Sequence, residues 1–167
     1  DWAAIVFWHS LEHLRAPGAA LEHAAGLLRE GGSLVVAAPN AASLQARAFG
    51  DRWLALDLPR HLVHIPARAL LRRLGEVGMQ VTRVSYVRGG QVVFGWLHGL
   101  VGRVPGTADF YDAVRRPEAR SAPVSRRTRA ITLASGAALL PVAALAAGVE
   151  VAARRGGSVY VEATRAR

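Results

Sequence analysis

The chain has 167 residues, of which 51% are hydrophobic and 20% are charged, and this composition excludes a disordered protein and suits one domain with its own core. It contains no cysteine, which excludes disulfides, zinc–thiolate sites and cysteine nucleophiles. The 21 basic residues are all arginine and outnumber 12 acidic residues, and this net charge of +9 indicates either an anionic partner or a coding bias towards arginine. The absence of lysine excludes a lysine Schiff base.

The first elements in chain order predict a strand–helix–strand unit. Residues 3–8 form a short apolar run typical of a buried strand. A helical pattern opens at Pro17, and Gly31 and Gly32 are expected to end it. Residues 33–38 are a second apolar strand, closed by Pro39 and Asn40. Short links between these elements predict a right-handed βαβ unit.

The next segments continue this alternation. Residues 41–49 predict a short helix, and residues 51–65 predict a loop rich in aromatic and polar side chains. Pro66 suits the first position of an amphipathic helix that ends at Gly78. Residues 79–87 alternate enough to form a third strand.

The second half of the chain, from residue 91 onward, has a different character. Residues 91–104 predict a short apolar helix, and residues 109–129 are basic, contain prolines and predict a loop and arm. Residues 130–149 carry no charge, and residues 158–164 alternate as a final strand.

The order of these motifs resembles the second half of class I S-adenosylmethionine-dependent methyltransferases. The resemblance is carried by IVFWHSLEHL, RAPGAALEHAAGLLREGGSLVVAAPN, DRWLALDLPRHLVHIPARALLRRLGEVGMQVTRV and SVYVEATR. It implies an α/β fold: the C-terminal part of a doubly wound, mostly parallel Rossmann-like sheet with an antiparallel last strand and a helical hydrophobic insertion. We therefore assign residues 1–88 to the α/β part, residues 89–156 to the insertion and residues 157–167 to the last strand and tail.

The resemblance also implies the cofactor S-adenosylmethionine and methyl transfer to a small-molecule or envelope-related acceptor. The stretch PRHLVHIP is similar to a bacterial subset found with cell-envelope polysaccharide genes. The family's glycine-rich turn and the acidic residue that follows its second strand have no counterpart here, and we expect both upstream of Asp1. We therefore expect the chain alone to bind the cofactor weakly and to be inactive. The alternative is a non-catalytic remnant or a membrane-associated interaction module.

The polar tip after the first strand supplies one set of candidate residues. Ligands of open α/β sheets bind outside the carboxyl ends of the strands. We assign His9, Ser10 and Leu11 to cofactor contact, and Glu12 and His13 to acid–base catalysis. Two other interpretations stay open, a lining without chemistry and a divalent-ion site similar to that of the quinone-pathway O-methyltransferases. Position 9 holds a histidine where that family has an acidic residue. Imidazole suits zinc or iron better than magnesium, and we assign no metal site.

The loop after the second strand supplies the other candidates. His61 and His64 are three residues apart and are assigned as catalytic, because methyl transfer requires the removal of a proton from the acceptor. Arg60, Trp53 and Asp57 are assigned to substrate binding, since a guanidinium can hold a carboxylate or phosphate with two hydrogen bonds. Structural support of the loop is the competing interpretation for these side chains.

The charge-free segment raises the question of a membrane. Twenty apolar residues match the thickness of a bilayer, and arginines flank both ends. If residues 79–87 and 158–164 pair in one sheet, however, a full crossing would separate the last strand from its partner. We expect a cytoplasmic protein in which residues 130–153 lie in an anionic membrane interface or re-enter as a hairpin at Pro141. A span, a buried helix and a dimer contact stay open, the tryptophans do not suit nucleic-acid binding, and no oligomeric state is assigned.

Overall fold

One mixed four-stranded sheet forms the frame of the protein. The computed structural model describes residues 1–87 and 90–166, so the predicted boundary at Gly89 and the last residue, Arg167, lie outside the described residues. The strands are β1 (Trp2–Trp8), β2 (Leu28–Pro39), β3 (Met79–Ser85) and β4 (Ser158–Arg165). Their order is β1-β2-β4-β3, with β1 parallel to β2 and β4 antiparallel to both of its neighbours. The predicted α/β class with an antiparallel last strand is confirmed.

Six α-helices in the described part of the chain cover this sheet and extend beyond it. They are α1 (Pro17–Leu27), α2 (Leu44–Phe49), α3 (Ala67–Glu76), α4 (Gln91–Val101), α5 (Phe110–Val114) and α6 (Arg126–Ala152). The helices α1 and α3 bury Leu21, Leu70 and Leu74 against the strands. The insertion between β3 and β4 has a separate apolar cluster, in which Val101 of α4 and Ala143 of α6 are fully buried.

The strand β1 is more exposed than its apolar sequence predicts. Ile5 and Phe7 pack against the core, but Trp2, Val6 and Trp8 on the other side of the strand are 61%, 56% and 43% exposed. Among the described strands β1 pairs with β2 alone, so it forms an edge of the sheet. The prediction of a fully buried strand is therefore wrong, because only one face of β1 is covered.

The boundary between α1 and β2 lies earlier than predicted. The helix ends at Leu27, and the strand begins at the fully buried Leu28, which pairs with Trp2. The register then shifts, so that Ala4 pairs with Ser33 and the residues between form a bulge. Gly31 adopts a φ of 69° there, a left-handed conformation that glycine tolerates best. The two glycines thus shape a bulge within the strand rather than the end of the helix.

The helix α3 begins one residue later than predicted. Pro66 is the N-cap of α3 and not its first helical residue, since its ψ of 137° is extended.

The insertion is more helical than its prolines and charges predict. The supposed loop at residues 109–129 contains α5, a 3-10 turn at Pro117–Ala119 and the first turn of α6. Hydroxyl and carboxylate caps begin these helices: Ser125 accepts from Thr128 N–H, and Asp109 accepts from Asp112 N–H.

The proposed hairpin at Pro141 is also wrong, because α6 runs through Pro141 as one helix of 27 residues. Its inner face is buried on both sides of the proline, at Gly136 before it and at Ala143 and Ala147 after it, which holds the helix together.

Candidate active site

Two polar segments that are far apart in sequence meet at the carboxyl end of β1. In the 3-10 turn Leu11–His13, the carbonyl oxygen of Glu12 accepts two backbone hydrogen bonds. The donors are Leu62 N–H at 2.8 Å and Val63 N–H at 3.2 Å. His13 Nδ1–H donates to the carbonyl of Arg60 at 2.8 Å. The structure therefore brings together the two sets of residues that the sequence nominates separately.

His61 has a fixed tautomer. Its Nδ1 atom lies 2.8 Å from the carbonyl oxygen of Ala55. A carbonyl oxygen only accepts, so Nδ1 carries the proton and Nε2 presents a lone pair when the ring is neutral. Nε2 lies 3.7 Å from Asp57 Oδ2 and 4.0 Å from Glu12 Oε1. A proton taken up at Nε2 would thus be stabilised by two carboxylates.

Glu12 is the buried carboxylate of this group, with 2% of its surface exposed. Burial alone would raise its pKa, but the hydrogen bond with His9 and the charges of His9 and His61 outweigh burial and keep the pKa of Glu12 below its ordinary value. Its Oε1 lies 3.4 Å from His9 Nδ1, while Oε2 is buried with no hydrogen-bond partner among the described residues. Glu12 is therefore an ionised carboxylate placed behind His9 and His61.

A cleft of about 1130 Å³ opens beside His61, between the sheet edge, the loop 51–65 and the helical insertion. Five of the ten predicted site residues line it, namely His9, Trp53, Asp57, Arg60 and His61. The other five lie outside its lining, namely Ser10, Leu11, Glu12, His13 and His64. The five side chains that line the cleft can contact a ligand, whereas the other five can influence a ligand only through a neighbouring residue.

The three residues assigned to the cofactor have different positions. His9 follows β1 with a φ of 45°, and its buried Nε2 has no hydrogen-bond partner within residues 1–87 and 90–166. Ser10 is the N-cap of the turn, without a side-chain cap bond, and Leu11 is fully buried in the core. His9 alone presents a side chain to the cleft, and Leu11 could contact a ligand only through its backbone.

The predicted substrate residues share one wall of the cleft. Arg60 pairs with Asp57, with its NH2 group 2.7 Å from Oδ1, and 69% of the arginine side chain is exposed. Trp53 is 5% exposed and lies against His64, with ring centroids 6.3 Å apart. The wall thus combines an accessible guanidinium with an indole that is mostly occupied by packing.

His64 and His13 hold the loop in place. His64 Nε2–H donates to the carbonyl of Leu56 at 2.8 Å, and His13 stacks edge-on against His61 with centroids 4.9 Å apart. These contacts fix the ring that faces the cleft. Both assignments as catalytic residues stay predictions, and the geometry gives the two histidines supporting contacts.

The insertion adds a histidine–aspartate pair that the sequence analysis missed. His98 of α4 donates from Nε2 to Asp109 Oδ2 at 2.9 Å, and both side chains line the cleft opposite His61. The two residues are eleven apart in a stretch that reads partly as loop, so no local spacing signals the pair. The hydrogen bond from His98 outweighs burial and lowers the pKa of Asp109.

The Asp109→Asn variant tests this pair. Asparagine keeps the N-cap of α5 but removes the charge that faces His98. A lowered pKa means that the carboxylate stabilises the fold above its ordinary pKa of 3.8, and this stability disappears as the pH falls through the lowered value. Because the side chain is half exposed, we expect a loss of about 0.2–1 kcal/mol at neutral pH and none in strong acid, measured by urea unfolding. An equal loss at both pH values would contradict the ion pair.

Three donor atoms lie close enough to hold a metal ion. One atom each of Glu12, His13 and His61 come within 4.8 Å of one another. A carboxylate with two imidazoles suits zinc or iron. The sequence suggests His9, Glu12 and His13 as donors for a divalent ion. In the structure Glu12 and His13 lie near His61, which takes the place of His9 as the third donor, and the divalent-ion interpretation stays open.

Comparison with known proteins agrees with this architecture. The model of a family described as a methyltransferase domain matches residues 1–84. The fold is similar to that of a SAM-dependent methyltransferase from Archaeoglobus fulgidus, with 13% identity, a TM-score of 0.50 and coverage of 98% of this chain and 59% of that one. The [4+2]-cyclase SpnF aligns with 20% identity and a TM-score of 0.49 over 99% of this chain and 50% of that one.

The chain therefore spans between half and three fifths of the length of these two solved structures. No curated protein shows a significant sequence match. The family match covers 84 of 167 residues, half of the chain, and includes the turn at Leu11–His13 and the loop that carries His61. On this match the chain belongs to the methyltransferase domain family.

Proposed function

We propose that the protein transfers a methyl group from S-adenosylmethionine to a hydroxyl group of an acceptor held in the cleft. The observation that carries this proposal is the position of His61. His61 lines the cleft, its Nδ1–H is held by the Ala55 carbonyl, which leaves Nε2 as the proton acceptor, and two carboxylates lie within 4.0 Å of Nε2. This is the arrangement of a general base whose protonated form is stabilised in advance.

The protein's own residues would position the acceptor and remove its proton. When bound, S-adenosylmethionine supplies an electrophilic methyl group. As the acceptor oxygen forms its bond to that carbon, the carbon–sulfur bond breaks, the sulfur leaves as a neutral thioether, and the hydroxyl proton passes to His61 Nε2. Glu12 and Asp57 stabilise the resulting imidazolium, and the Ala55 carbonyl keeps the ring in the productive orientation.

We propose that the cofactor binds at the carboxyl end of β1. His9 lines the cleft, and its buried Nε2 atom has no hydrogen-bond partner among the described residues. A hydrogen-bonding group of a ligand would satisfy it. We infer that His9 contacts the cofactor, with the backbone of Ser10 and Leu11 beside it. The absence of a glycine-rich turn from this sequence supports the expectation that the chain alone binds the cofactor weakly.

The cleft chemistry favours an acceptor with both hydroxyl and anionic groups. Arg60 is exposed and can bind a carboxylate or phosphate, and its partner Asp57 lies next to His61. A volume of about 1130 Å³ leaves space for a sugar-sized or larger molecule. Together with the resemblance of PRHLVHIP to envelope-associated enzymes, these features support an envelope-related glycan or another acidic hydroxylated compound.

Transfer of a tritium-labelled methyl group tests the proposal. The acceptors are matched pairs with and without a carboxylate, phenol with 4-hydroxybenzoate and glucose with glucuronate. We expect O-methylation that is faster for the acid of each pair, and loss of this preference in Arg60→Gln. Cofactor binding without transfer to any hydroxyl, or no cofactor binding by the protein that carries this chain, would favour the alternative of a non-catalytic interaction module.

A further inference from the structure

The long helix α6 exposes an apolar face to the solvent. Val142, Leu145 and Val149 are 51%, 72% and 55% exposed, and Ile131 is 38% exposed. At about 100° per residue these four side chains fall within an arc of roughly 60° on the helix. They form a continuous stripe, which we call the outer face of α6.

The polarity of α6 is inverted relative to a helix on a water-soluble surface. Thr132 and Glu150 are its fully buried polar residues, and Ser135 is half-buried. The exposed residues between 130 and 149, all of which the structure describes, are apolar without exception. A surface helix in water normally turns its polar side outward. The exposed side of α6 therefore suits an apolar environment rather than water.

The charges beside the outer face indicate an anionic surface. Arg126, Arg127 and Arg129 lie in the first turn of α6, and Arg154 and Arg155 follow its last turn, all of them exposed. The only acidic residue of the helix, Glu150, is buried on the opposite side. Apolar residues between two groups of arginines match a bilayer in which acidic headgroups lie beside acyl chains.

The contacts of the inner face determine how α6 can approach a bilayer. Ala143 packs in the apolar cluster with Val101 and Phe110, and Glu150 accepts hydrogen bonds from Gln45 and Trp96. The strand β4 follows six residues after α6 and pairs with both β2 and β3. A helix that crossed the membrane would lose all of these contacts. An orientation parallel to the membrane plane keeps every one of them.

We propose that the outer face of α6 docks the protein on an anionic bilayer, with the helix axis parallel to the membrane. The proposal does not depend on methyl transfer. It explains why one helix of a protein with a packed core leaves its most apolar side uncovered. By length and composition α6 is the one helix in the described part of the chain that could also span a membrane, so the test must separate docking from crossing.

Flotation with liposomes is the first test. The protein is mixed with vesicles of phosphatidylcholine, with or without phosphatidylglycerol, and we expect it to float with the acidic vesicles and to be released by salt. Leu145→Gln should weaken binding about tenfold. Val81→Gln, which changes an exposed valine of β3, is the matched control and should float like the unchanged protein. Circular dichroism confirms that both variants are folded.

A second measurement distinguishes the other occupants of this face. Protease is added to sealed vesicles that carry protein with a tag after Arg167, and the tag should stay accessible. A protected tag would show that α6 crosses the bilayer and overturn the proposal. No flotation, or flotation that Leu145→Gln leaves unchanged, would also overturn it. Sedimentation that shows a dimer dissociated by Leu145→Gln, without flotation, would assign the face to a second copy of this chain.

Discussion

Replacing His61 by alanine is expected to slow methyl transfer by about 10²–10⁴-fold while changing cofactor affinity little. We propose the imidazole Nε2 as the proton acceptor, and no other side chain occupies the same position between Asp57 and Glu12 among the described residues. The loss should appear in kcat, because the ring acts on the acceptor as the new bond forms. Steady-state kinetics of the protein that carries this chain, with cofactor titration of the same variant, provide the measurement.

Two further variants make this prediction specific. Glu12→Gln keeps the shape of the buried side chain but removes its charge, so it should also lower kcat, by less than the loss of the base itself. His64→Ala is the matched histidine on the same loop, outside the cleft lining, and should lower kcat less than tenfold while reducing thermal stability. Unchanged turnover in His61→Ala, or an equal loss of kcat in His64→Ala, would contradict the prediction and leave the loop with a structural role alone.

Replacing Glu150 by alanine is expected to destabilise the protein by about 2–4 kcal/mol. The carboxylate accepts from Gln45 N–H at 3.0 Å, from Gln45 Nε2–H at 2.8 Å and from Trp96 Nε1–H at 2.9 Å. Removing it leaves three donors of α2 and α4 without their acceptor. These bonds join α6 to α4 and to α2, so their loss weakens the attachment of the insertion to the α/β part. Urea unfolding measures the free energy.

The pH dependence of this variant has a definite sign. Burial outweighs the three donors and raises the pKa of Glu150 above its ordinary 4.5. A raised pKa means that the folded protein binds the proton more tightly, so the contribution of Glu150 is full below pH 4.5 and declines as the pH rises through the raised value. The difference between the unchanged protein and Glu150→Ala should therefore be larger in acid. Glu162→Gln, an exposed carboxylate paired with Arg83, is the control and should cost less than about 1 kcal/mol.

The sequence predicts the α/β frame because its signals are local. Apolar runs between glycines and prolines indicate the strands, and the resemblance to class I methyltransferases implies that the last strand is antiparallel. The meeting of the Glu12 turn with the His61 loop is also predictable, since the carboxyl ends of parallel strands lie at one edge of a sheet. The exposure of one face of β1 cannot be predicted, because the sequence of a strand does not show which of its faces other elements cover.

The contribution of the insertion to the cleft could not be predicted in the same way. His98 and Asp109 become neighbours only because α4 and α5 turn back over the loop, and Gln45 meets Glu150 across 105 residues. Such contacts depend on how one group of helices packs against another, which no periodicity encodes. Pro141 is a further example, since a residue that breaks isolated helices is tolerated where tertiary packing holds both sides.

The position of β4 has a consequence for how the chain reaches its folded state. The strand formed by residues 158–165 lies inside the sheet, and β3 pairs with β4 alone among the described strands. During synthesis β3 therefore has no partner strand while some seventy further residues are made, among them those of the apolar helix α6. The pairing of β3 in the sheet can form only after β4 has been made. Removal of residues 158–165 would accordingly take out the strand that joins β3 to the rest of the sheet, whereas removal of β1 would take away only an edge strand.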